Sequence, residues 1–170
     1  MGFTFENMAI SALVLLTGLS AGLCFTWTNT VTPGIGRLGD LGYLQSFQQM
    51  NRTILNPAFL VVFFGPFFLN LVTIYLFKDS SNTIVLLLIT ATAFYFLGVI
   101  LITIFGNVPL NEMLDKVDLS TTSIDELRQL REKFEVKWNR LHFIRTVTAM
   151  LSFLLVTASL LQSSNTTIAN

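Results

Sequence analysis

The chain has 170 residues, of which 52% are hydrophobic and 12% are charged, and its mean hydropathy is +0.66. This composition excludes an ordinary soluble domain of the same size and predicts that lipid is the main solvent. Ten Lys and Arg residues balance ten Asp and Glu residues, so no nucleic-acid partner is expected. The only cysteine, Cys24, lies in an apolar stretch, which excludes a disulfide framework and a CxxC motif.

The first apolar segment, residues 8–27, has the length of a transmembrane helix. A secretory signal peptide begins with basic residues, whereas this segment is preceded by Glu6 and by no Lys or Arg. Leu23, in place of a small residue before Cys24, also argues against a lipoprotein signal. We therefore predict that residues 8–27 form the first membrane span.

Three further apolar segments complete the predicted membrane domain. Residues 57–77 and 83–105 exceed the roughly 18 to 20 apolar residues that a span needs. Residues 143–161 form a fourth span, and a polar tail, residues 162–170, follows it. Because each helix satisfies its own backbone groups in lipid, we predict that residues 1–170 form one all-α domain, a membrane-embedded four-helix bundle.

Positively charged residues give the predicted bundle an orientation. Four spans place both termini and the short loop containing Lys78 on one side, and loops 33–56 and 107–142 on the other. Nine of the ten Lys and Arg residues belong to that second side, which the positive-inside rule assigns to the cytoplasm. We therefore expect a multi-pass protein of a bacterial inner membrane, with both termini outside the cell.

The first cytoplasmic loop contains a helix signal. A start rich in glycine at 33–42 gives way to a helical segment at 43–55. Proline disfavours helix in the residue before it and suits a first turn, so Asn56 with Pro57 is typical of the start of the next helix.

The second cytoplasmic loop is predicted to lead into an extended fourth helix. A short helix after Pro109 is followed by a turn at 118–122, and Ser123 with Glu126 then forms a capping box. No glycine or proline interrupts the chain from there to Leu161, so one helix of about 58 Å is expected at 1.5 Å per residue. Since this exceeds the hydrocarbon thickness, the fourth helix should extend into the cytoplasm.

Polar and aromatic side chains are predicted to cluster at the start of the fourth span. Trp138, His142 and Arg145 follow one another at helical spacing and therefore share one face. One interpretation is anchoring at the membrane interface, where such side chains are common. The other is a site inside the bundle, where polar groups usually have partners.

The partners are expected in the two cytoplasmic loops. Gln48, Asn51 and Arg52 occupy one helical neighbourhood of the first loop, and Asn107 and Asn111 lie in the second. For Asn107, capping of the short helix is the favoured role. A cap explains Asn111 less well, because it falls inside that helix.

His142 is the candidate general base, because the ordinary pKa of histidine lies near neutrality. A catalytic metal usually needs two or three nitrogen or sulfur ligands, and the chain has one His and one Cys. We therefore expect no metal and no other cofactor, with a carboxylate site at Glu112 or Asp115 left open. The sequence also contains no phosphate loop, nucleophile elbow or dinucleotide fingerprint.

Three segments together resemble a known family. They are Gln48-Gln49-Met50-Asn51-Arg52 with Asn56-Pro57, then Asn107-Val108-Pro109-Leu110-Asn111, and finally Trp138 with His142 and Ile144-Arg145-Thr146. In this order and spacing they resemble the anthrone oxygenase-like family of small membrane proteins. Most members are four-helix bacterial proteins without an assigned activity, and one branch oxidises anthrones to anthraquinones with oxygen and no evident cofactor.

The resemblance implies an expected chemistry for a small, flat, apolar aromatic ligand. His142 would remove a proton from an acidic ring carbon, and Arg145 with nearby asparagines would stabilise the resulting enolate. Trp138 would form a flat wall. The candidate substrate-binding residues are Gln48, Asn51, Arg52, Asn111 and Trp138.

Two other classes of protein stay open. The same polar cluster could tie the two loops to the base of the fourth helix in a non-catalytic membrane protein. It could also bind a quinone, a polyphenol or a lipid headgroup without reaction. Membrane lipid is an expected partner in every case. A His142→Ala variant separates the first two classes, since it abolishes turnover in an oxygenase and loosens the bundle in a structural protein.

Overall fold

The computed structural model describes residues 4–168 and their side chains as far as Ser164. This part of the chain is almost entirely helical and contains no strand. The predicted polar tail, residues 162–170, continues the last helix to Ile168, and residues 169 and 170 lie outside the described part. The five helices are α1 (Phe5–Ile35), α2 (Asp40–Ile54), α3 (Pro57–Leu76), α4 (Asn82–Asp115) and α5 (Ile124–Ile168).

All helices except α2 are long and apolar enough to cross a membrane, which confirms the predicted four-helix membrane bundle. Helix α1 packs between α3 and α5, and α4 closes the bundle by packing against both of them. At mid-depth the Tyr95 hydroxyl lies 2.7 Å from Ser20 Oγ and donates to the Phe63 carbonyl at 2.8 Å. Pro66 lacks an N–H and leaves a carbonyl one turn earlier without its helical donor. Tyr95 therefore joins α4 to α1 and α3 beside that proline.

Helix α1 is longer than predicted. The sequence predicted a span at 8–27 and a loop from residue 33, but the helix continues to Ile35. The reason is a π-helical turn at Trp27–Val31, which shifts the backbone hydrogen bonds just before Pro33 and so accommodates its missing N–H. The predicted turn therefore starts at Gly36.

Helix α4 is continuous where the sequence predicted a span followed by a separate short helix. It contains two π-helical segments, Phe96–Leu101 and Thr103–Asn107. The second lies directly before Pro109 and accommodates the missing N–H of that proline. Asn107 is therefore inside a helix and makes no side-chain capping bond. Its predicted role as a helix cap is wrong.

Helix α5 has 45 residues and is about 68 Å long at 1.5 Å per residue. The predicted capping box is confirmed, because Ser123 N–H donates to Glu126 Oε2 at 3.0 Å and Glu126 N–H donates to Ser123 Oγ at 3.4 Å. In the turn before it, Asp118 accepts hydrogen bonds from the Ser120 N–H and hydroxyl. These bonds lower the pKa of Asp118.

Helix α2 packs against the first half of α5, and we call this end of the molecule the α2 end. Arg131 of α5 fixes the chain that enters α2. Its guanidinium donates to the carbonyls of Gly36 and Leu38, each at 2.8 Å, and pairs with Asp40 at 3.1 Å. It also lies 4.5 Å from the centroid of the Tyr43 ring. These contacts position α2, whose last turns carry several of the predicted site residues.

Gly98 lets α4 approach α5 closely. A Cβ at this position would overlap Cβ and Oγ1 of Thr148, and neither helix can move without disturbing the bundle. We expect Gly98→Ala to lower the free energy of unfolding in detergent by about 1–3 kcal/mol, the usual cost of overpacking. Gly22→Ala is the matched control, because a Cβ there meets nothing within 4 Å. Equal stability of the two variants would contradict this packing.

Candidate functional site

A cavity of about 340 Å³ lies at the α2 end, between α1, the last turns of α2, the start of α3, the second half of α4 and the middle of α5. Its volume suits a small organic ligand. Most of the accessible area of the cavity wall is apolar. Six of the seven predicted site residues line it, namely Asn51, Arg52, Asn111, Trp138, His142 and Arg145.

Gln48 is the predicted site residue that does not line this cavity. Its side-chain amide is buried and donates to the carbonyls of Leu114 at 2.8 Å and Val117 at 3.0 Å. These bonds join α2 to the end of α4. Gln48 therefore supports the cavity by holding its two walls together.

One wall of the cavity is aromatic. The rings of Trp138 and His142 are stacked, with centroids 4.8 Å apart and planes inclined by 16°. Trp27 of α1 lies 5.7 Å from Trp138 and 6.2 Å from His142, and Phe47 of α2 packs edge-on against Trp138. The chain has two tryptophans, and both line the cavity. Their fluorescence therefore reports directly on a bound ligand.

His142 is buried, and its two ring nitrogens differ. Nε2 lies 3.1 Å from the backbone carbonyl of Cys24, and a carbonyl only accepts, so neutral His142 carries its proton on Nε2. Thr146 donates to the same carbonyl at 3.2 Å and holds this part of α5 against α1. Nδ1 is buried and has no hydrogen-bond partner among the described residues. His142 therefore lines the cavity and carries a buried proton acceptor that has no hydrogen-bond partner in the described part of the chain.

Arg145 is a buried cation with little compensation. It is 8% exposed, its Nη1 donates a long hydrogen bond of 3.4 Å to Asn107 Oδ1, and the side chain of Cys24 also interacts with the guanidinium. Its Nε finds no partner in the part of the chain that the structure describes, and none of the ion pairs there includes Arg145. A buried charge without an anionic partner in a membrane-spanning helix is costly and often marks a functional site.

Three asparagines lie near His142 and Arg145. Asn107 donates to the Trp138 carbonyl at 3.3 Å while it accepts from Arg145, so it aligns both cavity residues. Asn111 Oδ1 accepts from Trp138 Nε1 at 2.8 Å, which leaves its amide N–H groups for the cavity. Asn51 Nδ2 is buried and unpaired within the described residues. The site thus offers several hydrogen-bond donors to an oxygen atom of a ligand.

The cavity borders both charged and apolar surface. The exposed Arg52 pairs with Asp115 at 2.6 Å, and the exposed Leu55 and Val108 also contribute to the wall. The charged residues at this border are Arg52, Glu112, Asp115 and Lys116.

No group of three His, Cys, Asp or Glu side chains among the described residues could hold a metal ion. The absence of a cofactor stays a prediction.

Several cavity residues were not predicted in this role, and four of them, Trp27, Thr103, Cys24 and Asn107, are informative. Trp27 and Thr103 are the first residues of two of the π-helical turns, and the periodicity of a single sequence does not predict such turns. Cys24 contributes its backbone carbonyl, for which side-chain identity gives no signal. Asn107 was identified from the sequence as a polar candidate, but its predicted role as a helix cap is wrong.

These features define a helical membrane protein with an aromatic and polar cavity at one end of a four-helix bundle. The sequence model of the anthrone oxygenase family matches residues 59–155, more than half of the chain. The chain belongs to this family, as the motifs predicted. Comparison with curated proteins and with solved structures gave no match. The matched segment contains the cavity residues Asn107, Asn111, Trp138, His142 and Arg145.

Proposed function

We propose that this protein is a cofactor-independent oxygenase that converts a flat, apolar ring ketone with an acidic ring CH₂, such as an anthrone, into the corresponding quinone. One observation carries the proposal. The cavity combines a buried histidine that has a free acceptor nitrogen with a buried guanidinium that has a free donor. The family to which the chain belongs is named for this chemistry.

The aromatic wall explains how such a substrate binds. A fused ring system packs against the aromatic wall, of which Trp27 is the more exposed tryptophan, and occupies the apolar part of the cavity, which reaches Leu23 and Phe59. Asn51 and Arg145 then offer donors to the ketone oxygen. In the proposed arrangement the ring CH₂ lies beside the His142 ring.

The reaction begins with proton transfer. His142 Nδ1 takes one proton from the ring CH₂, and the electron pair of the broken C–H bond moves through the ring to the ketone oxygen. The resulting enolate is held by hydrogen bonds from Arg145 and Asn51, which act where negative charge develops.

The enolate then reduces oxygen. A carbon–oxygen bond forms at the deprotonated carbon, and the proton held by His142 completes a hydroperoxide. The second C–H proton leaves as the O–O bond breaks, so that the carbon becomes a carbonyl and one molecule of water departs. The balance is one ring CH₂ and one O₂ consumed, and one C=O and one H₂O formed, with no external reductant.

The orientation of the protein in the membrane is inferred from its charge distribution. Nine of the ten Lys and Arg residues lie in the loops and helices of the α2 end or at its border with the bundle. We place this end in the cytoplasm and both termini outside a bacterial inner membrane. Accessibility labelling of single cysteines in intact cells tests this placement, and labelling of the α2 end from outside would contradict it.

The proposal is tested by oxygen uptake in detergent-purified protein with a panel of anthrones and hydroquinones. Because anthrones also oxidise slowly in air, protein-free micelles with the same substrate are the baseline. We expect uptake above this baseline and one quinone formed per O₂ consumed. Quenching of Trp27 and Trp138 fluorescence without uptake would instead indicate a protein that binds flat aromatics without reaction, and would overturn the proposal.

A further inference from the structure

We infer that the cavity is an oxyanion site and that its natural ligand is a flat aromatic molecule bound in its ionised form, as an enolate or phenolate. This inference rests on the proposed function for the aromatic part of the ligand. It adds that the negative charge is selected on binding, before any reaction with oxygen.

The first observation is the state of Arg145. Its guanidinium carries five N–H donors, yet its contacts in the described part of the chain are a 3.4 Å hydrogen bond to Asn107 and the side chain of Cys24, and no carboxylate pairs with it. The residue is nevertheless only 8% exposed. A buried charge that lacks an anionic partner is unfavourable, so a ligand that supplies the anion gains an interaction that the ligand-free protein does not make.

The second observation is the charge around Arg145. On α1 and α4 its nearest ionisable neighbours are Cys24 and Tyr95, which at their ordinary pKa values are neutral at pH 7. On α5 the neighbour is His142, which is neutral or cationic. The carboxylates that line the cavity, Glu112 and Asp115, are exposed, and Asp115 already pairs with Arg52. The inner part of the cavity therefore has a net positive charge.

The third observation is the shape of the surroundings. Trp27, Trp138 and His142 lie within 6.2 Å of one another and form an aromatic wall. Asn51 Nδ2 supplies a second buried donor without a described partner. The carboxylate or phosphate of a lipid could pair with the same cation. An acyl chain, however, has no ring that could stack on the aromatic wall. The aromatic oxyanion is the ligand that satisfies both features.

The test uses 2-hydroxyanthraquinone, whose visible absorption differs between the phenol and the phenolate and which already has the oxidised quinone ring. Titration of the dye with purified protein, compared with the dye in empty micelles, gives the pH at which the bound dye ionises. We expect this midpoint to be lower by about one pH unit or more, because an opposite charge at close range lowers a pKa by that amount. A midpoint at or above the value in micelles would overturn the inference.

Two variants show where the effect arises. Arg145→Gln should remove the shift in midpoint, while Arg140→Gln, which neutralises an exposed arginine on the same helix, should retain it. A shift that survives Arg145→Gln would overturn the assignment. The dye is not a substrate, so the two experiments are independent. A lack of oxygen uptake would contradict the proposed oxygenase function only, and a lack of a shift in the dye midpoint would contradict the oxyanion site only.

A competition arm identifies the source of the anion. Phosphatidylglycerol and oleate are added to delipidated protein with bound dye, and the dye spectrum and Trp fluorescence are followed. We expect neither lipid to displace the dye at equal concentration. Displacement by lipid at lower concentration than dye would assign the site to a lipid headgroup and overturn the aromatic assignment.

Discussion

Replacement of His142 by glutamine should lower kcat by about one hundredfold to ten-thousandfold, the range typical for loss of a general base. Glutamine can still donate to the Cys24 carbonyl, which His142 Nε2 approaches at 3.1 Å, but it has no basic nitrogen to replace Nδ1. Binding of flat aromatics should persist, because Trp138 and Trp27 remain. The measurement is initial oxygen uptake at saturating anthrone, with fluorescence quenching of the same samples as the binding readout.

The control for this variant lies on the same turn of α5. Phe143 is 58% exposed on the outer face of the bundle, so Phe143→Leu should retain wild-type oxygen uptake and stability. If His142→Gln instead unfolds at a markedly lower temperature and Phe143→Leu does not, His142 has a structural role, and the non-catalytic interpretation of the cluster gains support. A fully active and folded His142→Gln variant would exclude His142 as the base.

Replacement of Arg145 by methionine should separate activity from stability. We expect kcat/KM to fall by about one hundredfold to one thousandfold, the usual cost of losing a donor to a developing oxyanion. We also expect the ligand-free variant to unfold at the same temperature as the wild type or at a higher one. The reason is that a poorly compensated buried cation is replaced by an apolar side chain of similar length, and such exchanges are often neutral or stabilising.

The opposite behaviour is expected if Arg145 holds the bundle together. In that case Arg145→Met would lower the unfolding temperature by several degrees, since the loss of a structural bond to Asn107 would leave Asn107 Oδ1 buried and unpaired. Arg145→Lys sharpens the comparison, because it retains the charge but loses the planar fork of donors. Partial activity in Arg145→Lys, with none in Arg145→Met, supports an electrostatic role at the substrate.

The fold was largely predictable because lipid imposes strong rules on sequence. Long apolar segments identified the four spans, and the Ser123–Glu126 capping box gave the start of α5 within one residue. What could not be predicted was the continuity of α1 and α4 through Pro33 and Pro109. Proline usually marks a helix boundary, and only the neighbouring π-helical turns, which depend on tertiary packing, make these helices continuous.

The candidate site was partly predictable for a related reason. Polar side chains at a membrane border are few, so Trp138, His142 and Arg145 stood out and helical spacing put them on one face. Their partners in α2 and α4 came from a resemblance between motifs. Asn107 was misassigned because its environment depends on the bundle interior, and Gln48 was assigned to the ligand although it bonds to the backbone at the end of α4.

The most direct test of the account is the fate of isotopically labelled oxygen during turnover of anthrone by the purified wild-type protein. Incorporation of one labelled oxygen atom into the new carbonyl of the quinone, with the other in water and no accumulation of hydrogen peroxide, is the predicted result. A quinone whose new oxygen is unlabelled, or quinone formation no faster than in protein-free micelles, would contradict the assignment of this membrane protein as an oxygenase.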